Sequence, residues 1–212
     1  MKIKVPTSWA DVTLNQYIQL TEVPELGFDE LESNLKILSI LTGVSDYVFL
    51  SFPKGELKKI TSLVSFIHET PKYKLPLSIK LNGKRYNVNV LPSTISAGEY
   101  IDLSEYTKDK KLINKNLPKI LAVILQPINR LGFKSKEDYK NIEGRKIQTV
   151  ESRERIEKEL LNLTMDKVFP ISDFFFLLFN NLTKTTLHYL KEQERKVKKE
   201  IVRDLQQIGA GF

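Results

Sequence analysis

The sequence predicts a mainly helical α+β protein, a helical bundle with a small β-hairpin or three-stranded sheet. Three observations support this fold class. Three segments before residue 70 space their apolar residues as amphipathic helices do. One pair of alternating segments flanks Asn82-Gly83, which is a strong hairpin signal. Hydrophobic residues make up 41% of the 212 residues, enough for a chain of this length to bury a core.

The first segments predict a strand followed by three helices. Lysine alternates with apolar residues in MKIKV, which predicts a strand that ends at Pro6. Thr13 is expected to cap the first helix, and Asp29 and Gly43 are expected to begin and end the second. A third helix is expected over roughly 55–69. The apolar faces of these helices predict that the three pack together.

Residues 77–90 predict the hairpin. Apolar and polar residues alternate on both sides of Asn82-Gly83, and both turn residues tolerate a positive φ. Because an isolated hairpin is marginally stable, we expect the N-terminal strand to pair with it in a three-stranded sheet.

The next segments predict two helices and a loop. The helices are SAGEYIDLSEY and NLPKILAVILQ, the second with Pro118 in its first turn and Pro127 at its end. Positions 120–125 are apolar nearly all round, which predicts burial on more than one side. Residues 128–148 have no sustained period and predict an exposed, mobile loop.

Two helices are expected at the end of the chain. One covers about 150–163, and a long one is capped by Ser172 or Asp173 and runs to about Leu205. We expect one compact domain with a projecting C-terminal helix. Its regions are an N-terminal helical region with the hairpin (1–107), a basic helix and loop (108–148) and a C-terminal long-helix region (149–212).

Residues that commonly carry catalysis are scarce in this sequence. The chain has no cysteine, which excludes disulfides, thiolate metal sites and cysteine nucleophiles. His68 and His188 have no ligand-spaced neighbours and are interpreted as structural. No glycine-rich phosphate motif or nucleophile elbow occurs. We predict a protein that is not an enzyme and has no cofactor and no metal, although scattered carboxylates could still build a metal-dependent nuclease.

The net charge of +7 is located in one segment. Residues 108–146 hold eleven basic and four acidic side chains, and that excess equals the whole net charge. Such a cluster could bind nucleic acid phosphates, or it could be a solvated loop or a loop that contacts an acidic protein. The residues chosen for this basic patch are Lys110, Lys111, Lys134 and Arg145.

The run FFFLLF at 174–179 covers every face of a helix with large apolar side chains. It is far too short to span a bilayer. The helix is either buried at the centre of its own domain or covered on one face by a partner subunit. The second alternative is favoured by the enrichment of aromatic residues at interface cores. The residues predicted for partner contact here are Phe174, Phe175, Phe176 and Phe179.

A thin apolar stripe follows in KEQERKVKKEIVRDL, at Val197, Ile201 and Leu205. A stripe this narrow suits either an exposed terminal helix or a helix that projects onto a neighbouring chain. Val197 and Ile201 complete the predicted partner contacts.

Three N-terminal segments carry a resemblance to a known class of proteins: WADVTLNQYIQL, ELESNLKILSILTGVS and ELKKITSLVSFI. With the preceding strand, the V-T-L start and the L-T-G stop, they resemble tail-assembly chaperones of tailed bacteriophages. The run SDFFFLLFNN is similar to small virion or assembly proteins of phages that infect gut Bacteroidetes. The resemblance covers about a third of the chain and implies a non-enzymatic role, binding the tape measure protein or other tail and neck components.

The sequence therefore predicts a structural or assembly protein of a phage tail or neck, with a ring component as one form. Expected partners are other phage structural proteins and further copies of the chain, with nucleic acid as a candidate through 108–146. Since no signal peptide or spanning helix is visible, no membrane is expected, and the location is the virion or the host cytoplasm during assembly. The alternatives are a tail assembly chaperone, from which the NG hairpin and basic loop depart, and a basic nucleic-acid-binding protein.

Overall fold

The computed structural model describes residues 3–69, 71, 73–89, 94–129, 131–134 and 136–181. Within these residues the chain forms eight α-helices and five β-strands, which confirms the mainly helical α+β class. The helices are α1 (Leu14–Glu22), α2 (Glu30–Thr42), α3 (Asp46–Leu50), α4 (Lys54–Leu63), α5 (Ala97–Lys108), α6 (Ile113–Ile124), α7 (Val150–Leu160) and α8 (165–181). The strands are β1 (Ser78–Leu81), β2 (Lys84–Val88), β3 (Leu125–Ile128), β4 (Tyr139–Ile142) and β5 (Arg145–Gln148).

The predicted ends of the first two helices are confirmed. Thr13 caps α1 in a capping box, in which its hydroxyl accepts the Gln16 amide N–H at 3.3 Å and the Gln16 side chain accepts the Thr13 N–H at 2.9 Å. Asp29 caps α2 in the same way, and α2 ends at Gly43 with φ 69°. The third predicted helix is instead α4 followed by a 3₁₀ turn at Ser65–His68.

The Asn-Gly hairpin is confirmed, but its third strand was predicted wrongly. Asn82 and Gly83 have φ values of 46° and 79° and join β1 to β2. The strand that pairs with β2 is β3, whereas residues 3–7 form no strand. Pro127, which was expected to end a helix, lies in β3, and as an edge strand β3 can hold a proline without losing a ladder hydrogen bond.

Helix α6 is the central helix of the fold. Its buried residues include all positions from Ile120 to Ile124, and Leu125 is buried after it, which confirms the predicted burial on more than one side. Pro118 is not in the first turn, because a 3₁₀ turn at Lys110–Leu112 starts the helical path earlier. The Asp109 side chain holds that turn by accepting the Lys111 N–H at 2.9 Å.

Residues 128–148 are not an irregular loop, since they contain the β4–β5 hairpin. Glu143 and Gly144 form its turn with φ values of 49° and 80°. Both faces of the hairpin are largely exposed, and even Ile142 and Ile147 are 52% and 47% exposed. With no buried face, the hairpin leaves no hydrophobic alternation in the sequence.

The last two described helices complete one hydrophobic core. Helix α7 confirms the predicted helix near 150–163, with Thr149 as its cap. Ser172 and Asp173 are not caps, because they lie inside α8, which begins at residue 165. The buried hydrophobic residues of the described chain, apart from Val23 and Tyr139, form one cluster that extends from Val12 to Phe179. No helix in the part of the chain described is long and apolar enough to cross a membrane.

Candidate partner-binding cleft

The phenylalanine run is divided between the core and an accessible surface. Phe175 and Phe179 are 1% and 7% exposed and belong to the hydrophobic core. Phe174 and Phe176 are half-buried, and Leu177 is 60% exposed. The run is therefore not buried on every side by the described residues, and α6 rather than α8 occupies the centre of the fold.

Beside this run, helices α5, α6 and α8 border a cleft of about 730 Å³, which we call the aromatic cleft. Its aromatic lining comes from Tyr17, Tyr100, Phe169, Phe176 and Phe179. The Tyr100 and Phe179 rings are 5.8 Å apart, so α5 and α8 contact each other through aromatic side chains. The cleft is large enough to take an apolar side chain of a partner together with its flanking backbone.

One carboxylate lies within the aromatic cleft. Asp173 is accessible to solvent, but burial by neighbouring atoms raises the pKa of its carboxyl group. The Tyr73 hydroxyl donates a hydrogen bond to this carboxylate. Burial also raises the pKa of Tyr17, and the Asp173 charge adds to that rise. Asp173 is thus a partly desolvated acceptor, suited to a hydrogen bond donor on a partner.

Two lysines also lie at the aromatic cleft. Lys108 and Lys110 come from the end of α5 and the following 3₁₀ turn. Among the described residues, Lys108 forms one ion pair, an exposed one with Glu105 with 3.7 Å between the charged atoms. These lysines therefore favour a partner that carries a negative charge beside its apolar anchor.

The basic patch expected from the sequence is split in two. Lys110 and Lys111 are exposed near Glu22 and Glu25, in a small cleft beside α1. The Lys134 ammonium lies 5.0 Å from the centre of the Tyr139 ring, and Arg145 is exposed at the start of β5. Within the described residues, no hydrogen bond or ion pair joins the two halves.

Four other residues were singled out from the sequence, and one of them, His68, lies among the described residues. Val197, Ile201 and His188 lie outside the described residues. His68 is exposed in the 3₁₀ turn after α4 and lines a different groove, of about 800 Å³, between α2 and α4. That groove contains none of the phenylalanines at 174–179.

The sequence did not reveal most of the cleft. Phe176 and Phe179 were chosen for their place in the run, but Tyr17, Tyr100 and Phe169 come from three separate helices. On each helix the aromatic residue looks like an ordinary core position, so only the tertiary packing brings these side chains together.

Comparison with protein-family models, curated proteins and solved structures finds no match to this chain. Within the described ranges, no group of three or more histidines, cysteines, aspartates or glutamates is placed to hold a metal ion. The site is accordingly defined by its geometry and by the chemistry of its lining.

Proposed function

We propose that this chain is a non-enzymatic assembly component that binds another protein through the aromatic cleft. The observation that carries the proposal is an accessible cleft of about 730 Å³ beside the phenylalanine run, lined by five aromatic rings. Aromatic anchors in desolvated pockets supply most of the binding energy of protein interfaces. We propose the tail or neck of a tailed bacteriophage as the location of this role, on the basis of the resemblance of the N-terminal third.

The residues that line the cleft indicate which chemical groups a partner would present to it. An apolar side chain would contact Tyr100 and Phe176, an acidic flank would face Lys108 and Lys110, and a hydrogen bond donor would reach Asp173. Leu177, 60% exposed one residue after Phe176, extends the apolar surface beyond the cleft. Such a surface serves a resident virion component or a chaperone that leaves before the particle is complete.

Quantitative mass spectrometry of purified particles tests this proposal. Particles of the phage or prophage that encodes the chain should contain it at a fixed ratio to the major capsid protein, or should lack it while an assembly intermediate contains it. Phe176→Ala should reduce the recovered chain, since loss of an interface hot spot weakens binding by about 30-fold.

Tyr47→Ala is the matched control, because Tyr47 is 80% exposed on α3 and does not line the aromatic cleft. It should leave recovery unchanged. Absence of the chain from both particles and intermediates would contradict the proposal, as would equal losses in the two variants.

A further inference from the structure

The solvent face of the β1–β2–β3 sheet carries a row of basic side chains. Lys80 pairs with Arg85, Arg85 pairs with Ile128, and a bridge pairs Ile128 with Lys134. Residues directly opposite each other on antiparallel strands project from the same face. Three of the four positions in this row, which we call the basic row, are therefore cationic.

A second row on the same face is polar and uncharged. Ser78 pairs with Asn87, and Asn87 pairs with Gln126. The Nε and Nη2 atoms of Arg85 both donate to the Ser78 hydroxyl at 3.3 Å, which holds the guanidinium across the two rows. The face thus presents cations beside amide and hydroxyl groups.

No described carboxylate forms an ion pair with the basic row. Lys80 and Arg85 are like charges directly opposite each other, an arrangement that destabilises a sheet. Among the described residues, no carboxylate lies within 4.0 Å of the charged atoms of Lys80, Arg85 or Lys134. Nearby Glu137 pairs with Lys84 at 3.7 Å, and Asp138 is buried and paired with Arg155. An unpaired row of this kind is complementary to a polyanion.

A groove runs beside the basic row, and an exposed aromatic residue adjoins its last position, Lys134, along the chain. The groove, of about 810 Å³, runs beside Lys80 and Arg85 and reaches Ile128 and Asn129. Glu137 and Asp138 also line it, and their carboxylates pair with Lys84 and Arg155. Phe133 immediately precedes Lys134 and is 66% exposed. Single-stranded nucleic acids are bound by such combinations, in which cations follow the phosphates and aromatic rings stack on bases.

We propose that this sheet face binds single-stranded nucleic acid. Lys80, Arg85 and Lys134 contact phosphates, the amides of Asn87 and Gln126 hydrogen-bond to base edges, and Phe133 stacks on a base. An acidic polypeptide would use the cations but would leave the stacking ring without a role. Of the basic patch expected from the sequence only Lys134 belongs to this surface, and Lys80 and Arg85 lie in a region whose overall charge is balanced.

Fluorescence anisotropy of the full chain with labelled oligo-dT and oligo-U of about 20 nucleotides tests the proposal. With three phosphate contacts, log K should fall with log salt at a slope of about −2, so binding weakens about 20-fold between 50 and 200 mM NaCl. The triple substitution Lys80→Gln, Arg85→Gln and Lys134→Gln should abolish binding at the higher salt. Phe133→Ala should weaken binding by about tenfold.

The control removes the same charge elsewhere. Lys54→Gln, Lys58→Gln and Lys59→Gln on α4 change three exposed lysines that pair with no described carboxylate, and binding should stay within about twofold of wild type. Lys80→Gln alone reports on binding if the triple variant lowers the unfolding temperature. Phe176→Ala should leave oligonucleotide binding intact, which separates this proposal from the proposed function.

Three results would overturn the assignment. One is no binding at low salt, and another is an equal loss in the sheet variant and the α4 control, which would reflect net charge alone. The third is competition by polyglutamate at concentrations matching the oligonucleotide, combined with no effect of Phe133→Ala. That result would identify the face as a surface for acidic polypeptides.

Discussion

The two hairpins of this protein turn through the same backbone conformation and are held in different ways. Asn82-Gly83 and Glu143-Gly144 each place two consecutive residues at positive φ, between 46° and 80°. The β1–β2 hairpin buries Ile79, Leu81 and Tyr86 in the hydrophobic core. In the β4–β5 hairpin only the base is buried, at Tyr139 and Gln148, while the rest is exposed.

Polar contacts hold the β4–β5 hairpin where apolar contacts hold the other. Asp138, 1% exposed, accepts hydrogen bonds from the Ser152 hydroxyl at 3.0 Å and from Arg155, both on α7. The Asp138 carbonyl also accepts the Thr149 N–H at 3.0 Å. A tight turn is thus compatible with either apolar or polar support. Only a hairpin with one buried face, however, requires apolar and polar residues to alternate along its sequence.

The largest expected effect is at Tyr86, in the hairpin held by the core. Tyr86 is completely buried, and its hydroxyl donates to Glu159 at 3.4 Å. Tyr86→Ala should lower the free energy of unfolding by about 3–5 kcal/mol because it leaves a large cavity. Urea denaturation measures the loss, and the exposed Tyr47→Ala should change stability by less than about 0.5 kcal/mol. Similar losses in both variants would show that β1–β2 is not part of the core.

A smaller effect is expected at Asp138, in the hairpin held by polar contacts. Asp138→Asn should lower the free energy of unfolding by about 2 kcal/mol, since it weakens a buried ion pair whose arginine is partly exposed. Neighbouring Glu137→Gln is the control, because its exposed pair with Lys84 should be worth less than about 1 kcal/mol. Equal losses of stability in the two variants would contradict the conclusion that the contacts of Asp138 hold the β4–β5 hairpin.

The loss of stability caused by Asp138→Asn should also depend on pH. Burial raises the pKa of Asp138, but hydrogen bonds from Arg155 and Ser152 outweigh it and leave the pKa below its ordinary value. A lowered folded-state pKa stabilises the protein above the unfolded-state pKa, about 3.9, and that contribution is lost as the pH falls through the folded-state pKa. The stabilities of wild type and Asp138→Asn should therefore begin to converge as the pH falls below about 4, and should become equal only below the folded-state pKa.

The smallest effects compare the two turns directly. Gly83→Ala and Gly144→Ala both place a side chain at positive φ, and no atom lies within 4 Å of either new Cβ, so the cost is backbone strain of about 1 kcal/mol. Gly83→Ala should lower the global stability by that amount. Gly144→Ala should instead speed hydrogen exchange of the β4–β5 amides and change the global stability less. A larger global loss from Gly144→Ala would reverse the comparison.

Local signals explain which elements the sequence could predict. Thr13, Asp29 and Gly43 act within one turn of helix, and Asn82-Gly83 acts within one hairpin, so each is visible in a short window. β3 was missed because its partner lies far away in sequence and its proline reads locally as a helix stop.

The proposed sites were also hard to predict, because their residues are far apart in the sequence. Phe176 and Phe179 were found because they lie in one continuous run, whereas Tyr17 and Tyr100 join them only through packing of separate helices. The basic row likewise forms only through cross-strand register. Neither arrangement leaves a signal in a local window of sequence.

The direct junction between α6 and β3 has a consequence for the order of folding. β1 and β2 are joined by a two-residue turn, and hairpins of this kind form in about 1–10 μs. β3 pairs with β2 only when the chain between Val88 and Leu125, which contains α5 and α6, has closed into a loop. Leu125, the first residue of β3, directly follows the last residue of α6. Docking of this helix against the core therefore also brings β3 next to β2. We therefore expect completion of the sheet to accompany formation of the central core.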